Sequence, residues 1–461
     1  MNKLILAALA LPSLAFAAQP APTGSQLPID EQAERLRDAA LSDDLAWTIL
    51  EGLTTEVGPR QAGTEAEARA RSWAVRRLTE LGFSNVRIEP FEMPVWVRGE
   101  ERAEIVSPFP QPLVVTALGN SGATPQRGVE AEVIGFDSEA ASEESVRGKI
   151  VFIDHGMAPT QDGSGYGQFG APRRQGPSIA SRKGAAAIVI RSIGTDYHRN
   201  PHTGVQMWAE GVRPIPAGAL TVPDAEQLRR ILARGRPVRM RLTLTPRNTG
   251  RHESGNVVAE VPGSDPSAGV ITIGGHLDSW DLGTGALDNA AGVAITTAAA
   301  HRIMQAGRPR RTIRVVLFGA EEVGGGGGDT HFALHRENGN VVLVGESDFG
   351  ADRIWRVDFN LAPENEALAD RVAALLAPLG IVRGRDRANA GADLGAWPTS
   401  GTAAIDLNQD GTRYFDYHHT PDDTLDKVDP TQLRQNVAAW TAMLAVVANA
   451  PEAIGPVPAA P

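Results

Sequence analysis

Residues 315–332 read VVLFGAEEVGGGGGDTHF: an apolar run, two adjacent glutamates (Glu321 and Glu322), then five glycines. Two chemistries compete for such a stretch. It is either a glycine loop that cradles phosphate, or a carboxylate pair set where a reaction takes place. No Gly-x-x-x-x-Gly-Lys-Ser/Thr is present, and two negative charges ahead of the glycines would repel phosphate. The carboxylates gain meaning from what else can reach them. His276 and Asp278 end the run GVITIGGHLD, and Asp288 follows at the mouth of the next helix. Asp348 ends VVLVGESD, and His419 lies in YFDYHHTPDD after the run TAAIDLN. Two divalent cations need end ligands on each and one ligand between them, and a carboxylate bridges because it has two oxygens. Asp288 suits the bridge, with His276 and Asp348 on one cation and Glu322 and His419 on the other. All are N and O donors, a set that suits zinc and tolerates manganese or cobalt. Cations paired in this way sit roughly 3.5–4 Å apart and clamp an oxygen nucleophile. Neighbouring side chains leaving a strand point apart, so one glutamate can ligate while the other serves as general base.

Other chemistries fit less well. Cysteine is absent, which removes thiol nucleophiles and thiolate ligands. Ser279 stands in no Gly-x-Ser-x-Gly elbow. His331 and His335 have helical spacing, but no glutamate follows His331 as a zincin motif requires; they read as surface or core residues. His198 and His202 share that spacing, yet Pro201 breaks the helix they would need, so they read as loop residues. Trp280 follows His276 closely enough to wall a pocket. Any one of these acids alone is most simply a solvated surface group; gathered at strand ends, they point to metal binding.

The elements that must position them alternate after Gly255. GVITIGGHLD, RTIRVVLFGAEE, NVVLVGESDFG and TAAIDLN read as buried strands, and DNAAGVAITTAAAHRIM, NEALADRVAALLAPLG and PTQLRQNVAAWTAMLAVVANA as helices. Such alternation predicts an α/β fold with a mixed, mostly parallel sheet covered by helices on both faces. In these sheets ligands bind beyond the carboxyl ends of strands, the rim where the candidate ligands fall. Nearer the N-terminus, Thr64 and Glu67 form a capping box ahead of a helix that Gly82 ends. From 107 to 247 short β-like runs separated by Gly and Pro turns predict a β-rich insert. The catalytic unit is then split into 29–106 and 248–452. Within the insert, the glycine-rich stretch 156–178 reads as a mobile loop. The tail 453–461 reads as flexible.

The chain has 461 residues, which favours two domains, and 42% hydrophobic residues, enough for real cores. A formal charge of −11 argues against a nucleic-acid partner. Residues 1–17 contain Lys3, a short apolar run and Ala15-Phe16-Ala17, the pattern of a cleaved signal peptide. A polar connector, 18–28, follows. Export to the periplasm or medium is the expectation, and no later stretch is apolar and long enough to span a membrane.

GGHLDSWDLGTGALDNAAG, VVLFGAEEVGG, GESDFGA and YFDYHHTPDDTLDKVDP resemble, in order, motifs of the co-catalytic dizinc exopeptidases, above all their carboxypeptidase Q branch. The resemblance runs from about residue 30 to the C-terminus. It implies that His276, Asp288, Glu322, Asp348 and His419 ligate two Zn2+, with Asp288 bridging. It also makes Glu321 the general base and Asp278 the carboxylate that orients the first histidine. His418 stands where some relatives carry an oxyanion-stabilising tyrosine, so it becomes a candidate hydrogen-bond donor. The β-rich insert is then similar to a protease-associated domain, the substrate is a dipeptide or short peptide, and a homodimer is implied. A dipeptidase needs groups for both substrate termini, and Arg413 for the carboxylate with Asp393 for the ammonium are the candidates. A related amidohydrolase acting on a non-peptide amide, and a non-catalytic exported binding protein, are the competing readings.

Overall fold

The computed structural model describes residues 28–135, 143–337 and 340–457. The expected leader and all of the connector but Pro28 lie outside these residues. The main sheet has eight strands. Four are mutually parallel and central: Thr312–Phe318, Val270–His276, Val341–Glu346 and Ala403–Gln409. Arg247–Val261 joins Thr312–Phe318 antiparallel, and Ile354–Asn360 joins Ala403–Gln409 antiparallel. The sheet is therefore mixed, as the alternation predicted.

Side chains alternate across a strand, and Thr312–Phe318 feeds two cores. Ile313, Val315 and Leu317 face the larger cluster, which includes Leu433, Val437 and Trp440 of the closing helix Pro430–Val447. Val316 and Phe318 face a smaller one with Leu394 and Trp397. Both faces are covered, which is why this strand reads as continuous apolar sequence rather than alternation.

A second sheet of eight strands lies within residues 101–244. Its two end strands, Gln111–Leu113 and Val115–Ala117, are separated in sequence by Val114 alone. That adjacency forces the sheet to curl on itself. The insert starts earlier than the turn pattern indicated. Glu101–Ser107 already pairs with Arg239–Leu244, so entry and exit strands lie side by side. They are continued by a long antiparallel ribbon, Ser84–Val97 against Arg247–Val261, which ties the insert to the main sheet.

Two local expectations change. The stretch 156–178 is not an open loop: it contains the short helices Gly165–Phe169 and Ala171–Arg174 and the start of Gly176–Arg182. Its glycines disfavour helix locally, but Tyr166 stacks on Phe415 of the main unit with ring centroids 4.8 Å apart. Tertiary packing supplies what propensity lacks. The tail is tied down as far as Val457: Ile454 and Val457 are buried, and Asn365 Nδ2 donates to the carbonyls of Ala453 and Ile454.

Candidate metal centre

Each predicted ligand leaves the carboxyl end of one of the four parallel strands, or the helix that follows. His276 is the last residue of its strand, Glu321 and Glu322 follow Thr312–Phe318, and Asp348 follows Val341–Glu346. His418 and His419 follow Ala403–Gln409 after the short turn of helix Tyr414–Tyr417. Asp288 stands just before helix Ala291–Ala306, in a non-helical backbone conformation.

These side chains converge. His276 Nε2 lies 3.0 Å from Asp288 Oδ1 and 3.3 Å from Asp348 Oδ1. His419 Nε2 lies 3.3 Å from Asp288 Oδ2 and 3.0 Å from Glu322 Oε2. Asp288 thus offers one oxygen to each histidine. Ligands sharing one tetrahedral zinc, with bonds of about 2.0–2.2 Å, stand about 3.0–3.5 Å apart, the spacing seen on both sides of Asp288. Asp288 Oδ2, Glu322 Oε1 and Asp348 Oδ1 are buried and accept no hydrogen bond. Orphaned anionic oxygens are costly unless a cation meets them, so the residues present fit a metal pair. His418 is also close, with Nε2 3.5 Å from Asp288 Oδ2, and its ring stacks on His419 at 3.5 Å between centroids.

The electrostatics carry the same signature. Burial pushes the Glu321 carboxyl well up, with Asp348, Glu322 and Asp393 adding to the effect. Burial does the same for Glu322, with Asp288 the largest like charge. Burial alone would push His276 down, yet Asp348, Asp278 and Asp288 hold it well above its ordinary value. This is a nest of negative charge in need of compensation.

Asp278 lies beside the first histidine. His276 Nδ1 is 3.0 Å from its carbonyl and 3.5 Å from Oδ1. Its two carboxylate oxygens also accept from the backbone N–H groups of Glu321 and Glu322, at 3.1 and 3.3 Å. The carboxylate therefore positions both glutamates, while His276 meets chiefly the carbonyl of the same residue. The preceding Ala320 and the ligand candidate His419 adopt left-handed φ values of 66° and 62°, unfavourable for non-glycine residues. The glycine run is explained as well. Gly324, Gly325 and Gly326 have positive φ. A Cβ on Gly327 or Gly328 would stand 2.3 Å from the carbonyl oxygen of Gly319 or Asp393.

Three buried groups were not assigned to the site from sequence. Asp423 accepts from the N–H groups of Leu287 and Asp288, and burial pushes its carboxyl up to about 7. Arg60 is fully buried and donates to the carbonyls of Leu277, Thr284 and Gly285, holding the loop between His276 and Asp288. His202 lies in a loop as expected, but it is buried between Asp196 and the carbonyl of His418, 2.7 Å from each. Only the second aspartate of HHTPDD hinted at any of them. Arg413 does not serve the site: it grips Asp352 with two hydrogen bonds of 2.6 and 2.7 Å. Asp393 is buried beside Glu346, whose Oε2 accepts its N–H, and burial pushes its carboxyl up to about 8. Trp280 walls the centre, 5.8 Å from the His419 ring, and packs into the core of the insert.

His331 and His335 form a separate cluster with Glu89, each 2.8 Å from one of its oxygens. Arg87 also donates to that carboxylate. Glu89 is fully partnered and a guanidinium already supplies positive charge, so this trio reads as a structural network.

The model of peptidase family M28 matches residues 256–444, the span that holds every candidate ligand. Human carboxypeptidase Q is 35% identical over 87% of this chain and 84% of its own length. The chain belongs to peptidase family M28. A peptidase M28 precursor from Shewanella amazonensis SB2B is 45% identical, with a TM-score of 0.90 over 93% of this chain and 99% of that one. An aminopeptidase from Aneurinibacillus sp. strain AM-1 shares the fold at 20% identity, with a TM-score of 0.64 over 93% of this chain and 99% of its own. Membership of M28 makes this chain a metallopeptidase of the exopeptidase type.

Proposed function

We propose that this M28 member is an exported dizinc exopeptidase acting on dipeptides or short peptides. His276 and Asp348 would hold one zinc and Glu322 and His419 the other, with Asp288 placed to serve both. The carrying observation is the pair of imidazoles facing the two oxygens of Asp288, ringed by buried carboxylate oxygens that lack donors. When bound, the two ions supply Lewis acidity, lowering the pKa of water and polarising the peptide carbonyl.

The chain's own groups do the rest. Glu321, half-buried at the rim and anchored through its N–H by Asp278, takes the proton of the attacking water. It then delivers that proton to the leaving amine. Asp278 orients His276, and Asp423 holds the backbone of Asp288. His418 donates a hydrogen bond to the developing oxyanion; its Nδ1 is buried and unpartnered. The signal-like residues 1–17 support export.

The test is metal analysis of the purified protein together with hydrolysis of a dipeptide panel. About two zinc ions per chain are expected, with activity abolished by chelator and restored by zinc. A chain that binds one ion or none, or that cleaves dipeptides equally well after chelation, overturns the proposal.

A further inference from the structure

A buried arginine without an anion stands beside the candidate centre. Arg173 comes from the insert, on helix Ala171–Arg174, and is only 5% exposed. Its Nη2 donates to the Tyr166 hydroxyl at 2.6 Å, and its Nη1 makes a long contact of 3.4 Å to the Thr203 carbonyl. Its Nε is buried and has no acceptor. Among the described residues no carboxylate pairs with it. Other deeply placed arginines are compensated: Arg98 is bound to Asp281 and Glu101, and Arg60 is spent on backbone carbonyls. An unpaired buried guanidinium is unfavourable unless an anion arrives during function.

Arg173 is also close to the chemistry. The Thr203 carbonyl it touches lies 3.2 Å from His419 Nδ1. Gly204, at φ +139°, separates the two side chains: a Cβ there would be 2.1 Å from Arg173 Nη1 and 2.9 Å from His419 Nδ1. Tyr166 is locked in place by stacking on Phe415 and by an edge contact with His418, 5.0 Å between centroids. Because its hydroxyl accepts from Arg173, its own hydrogen is free to point at the same incoming anion.

We propose that Arg173, with Tyr166, receives the α-carboxylate of the substrate, so that the enzyme cleaves the bond one residue before a free C-terminus. The inference rests on the peptidase reading above. The chemistry of the ligand follows from geometry: the α-carboxylate carbon is three bonds from the scissile carbonyl carbon, about 3–4 Å away. A guanidinium one glycine removed from a metal-ligand histidine can reach that carboxylate. It would lie too near the centre for a carboxylate several residues further on. Arg413, the alternative from sequence, is occupied by Asp352. The insert thereby sets substrate length.

The experiment compares an unblocked dipeptide with the same dipeptide as its C-terminal amide, using wild type, Arg173→Met and Arg173→Lys, with bound zinc measured in each. Wild type should favour the free acid in kcat/KM by about 30-fold or more, the scale of a charge-assisted bidentate contact. In Arg173→Met that preference should collapse towards unity through loss on the acid alone, with zinc content unchanged. Arg173→Lys should restore part of it. Equal wild-type rates on acid and amide overturn the proposal without any variant and leave the peptidase reading intact. An equal fall on both substrates in Arg173→Met also overturns it, because that marks an oxyanion or structural role. Failure of wild type to cleave any peptide overturns both readings.

Discussion

Adjacent glutamates have different fates because neighbouring side chains leaving a strand point apart, while one carboxylate, Asp278, pins both of their backbone N–H groups. Glu322 is turned inward to His419, while Glu321 stays half-buried at the rim. Substitution should separate the roles. Glu321→Ala should keep its zinc and lose turnover by about 10²–10⁴-fold, whereas Glu322→Ala should lose zinc occupancy; metal analysis beside kcat reads both. Near-normal turnover in Glu321→Ala would remove it as the base. The candidate centre and the Glu89 cluster also differ in a way that only atoms reveal. Glu89 has both oxygens satisfied by His331, His335 and Arg87. Asp288, Glu322 and Asp348 each retain an oxygen without a donor.

At the scale of elements, the centre depends on how tightly helix Ala291–Ala306 seats against the strand ends. A Cβ on Gly292 would lie 1.8 Å from the Ser347 carbonyl oxygen and 2.3 Å from Asn289 Oδ1. Gly292→Ala should therefore lift the helix that follows Asp288, costing about 3 kcal/mol or more and weakening zinc binding. Urea unfolding and metal titration would show both effects, and an unchanged midpoint would contradict the packing argument. Helix Glu65–Glu80 carries a titrating element. Thr64 caps it by accepting from the Glu67 N–H, and Glu67 is fully buried against Arg71. Burial, opposed by Arg71, raises the Glu67 carboxyl from 4.5 to about 7. A folded-state value above the unfolded one means the folded chain holds the extra proton, so stability falls as pH rises through that window. Glu67→Gln stays neutral. Its stability relative to wild type should improve between about pH 5 and about pH 8, by up to about 3 kcal/mol; parallel pH profiles for the two proteins would refute this.

At the scale of the molecule, the insert is fastened directly over the centre. Arg98 grips Asp281 with two hydrogen bonds, Trp280 enters the insert's core, and His202 holds the His418 carbonyl. Metal therefore bears on the assembly as well as on chemistry, because the clustered carboxylates repel one another without it. Chelated protein should unfold several degrees below the zinc-loaded form. Saturation at 100 times Kd corresponds to about 2.7 kcal/mol, and each kcal/mol to roughly 1 °C in a chain of this size, so a shift of about 3 °C. A Tm indifferent to zinc would argue against a structural share for the site.

The candidate donor residues, the rim and the mixed sheet were legible along the chain because they depend on local rules. Buried parallel strands leave continuous apolar runs, and their carboxyl ends are where such a fold exposes functional groups. His276, Asp288, Glu322, Asp348 and His419 could be read off as donor types at those ends. Asp423, Arg60, Tyr166 and Arg173 could not. Their meaning lies in contacts between distant segments: a carboxylate on the backbone of Asp288, a guanidinium on three loop carbonyls, a tyrosine stacked across two units. The same limit misassigned Arg413, whose partner Asp352 is 61 residues away, and left residues 156–178 looking like an open loop. Residue type and period record what each element prefers, but which charge meets which is settled only when the chain closes on itself.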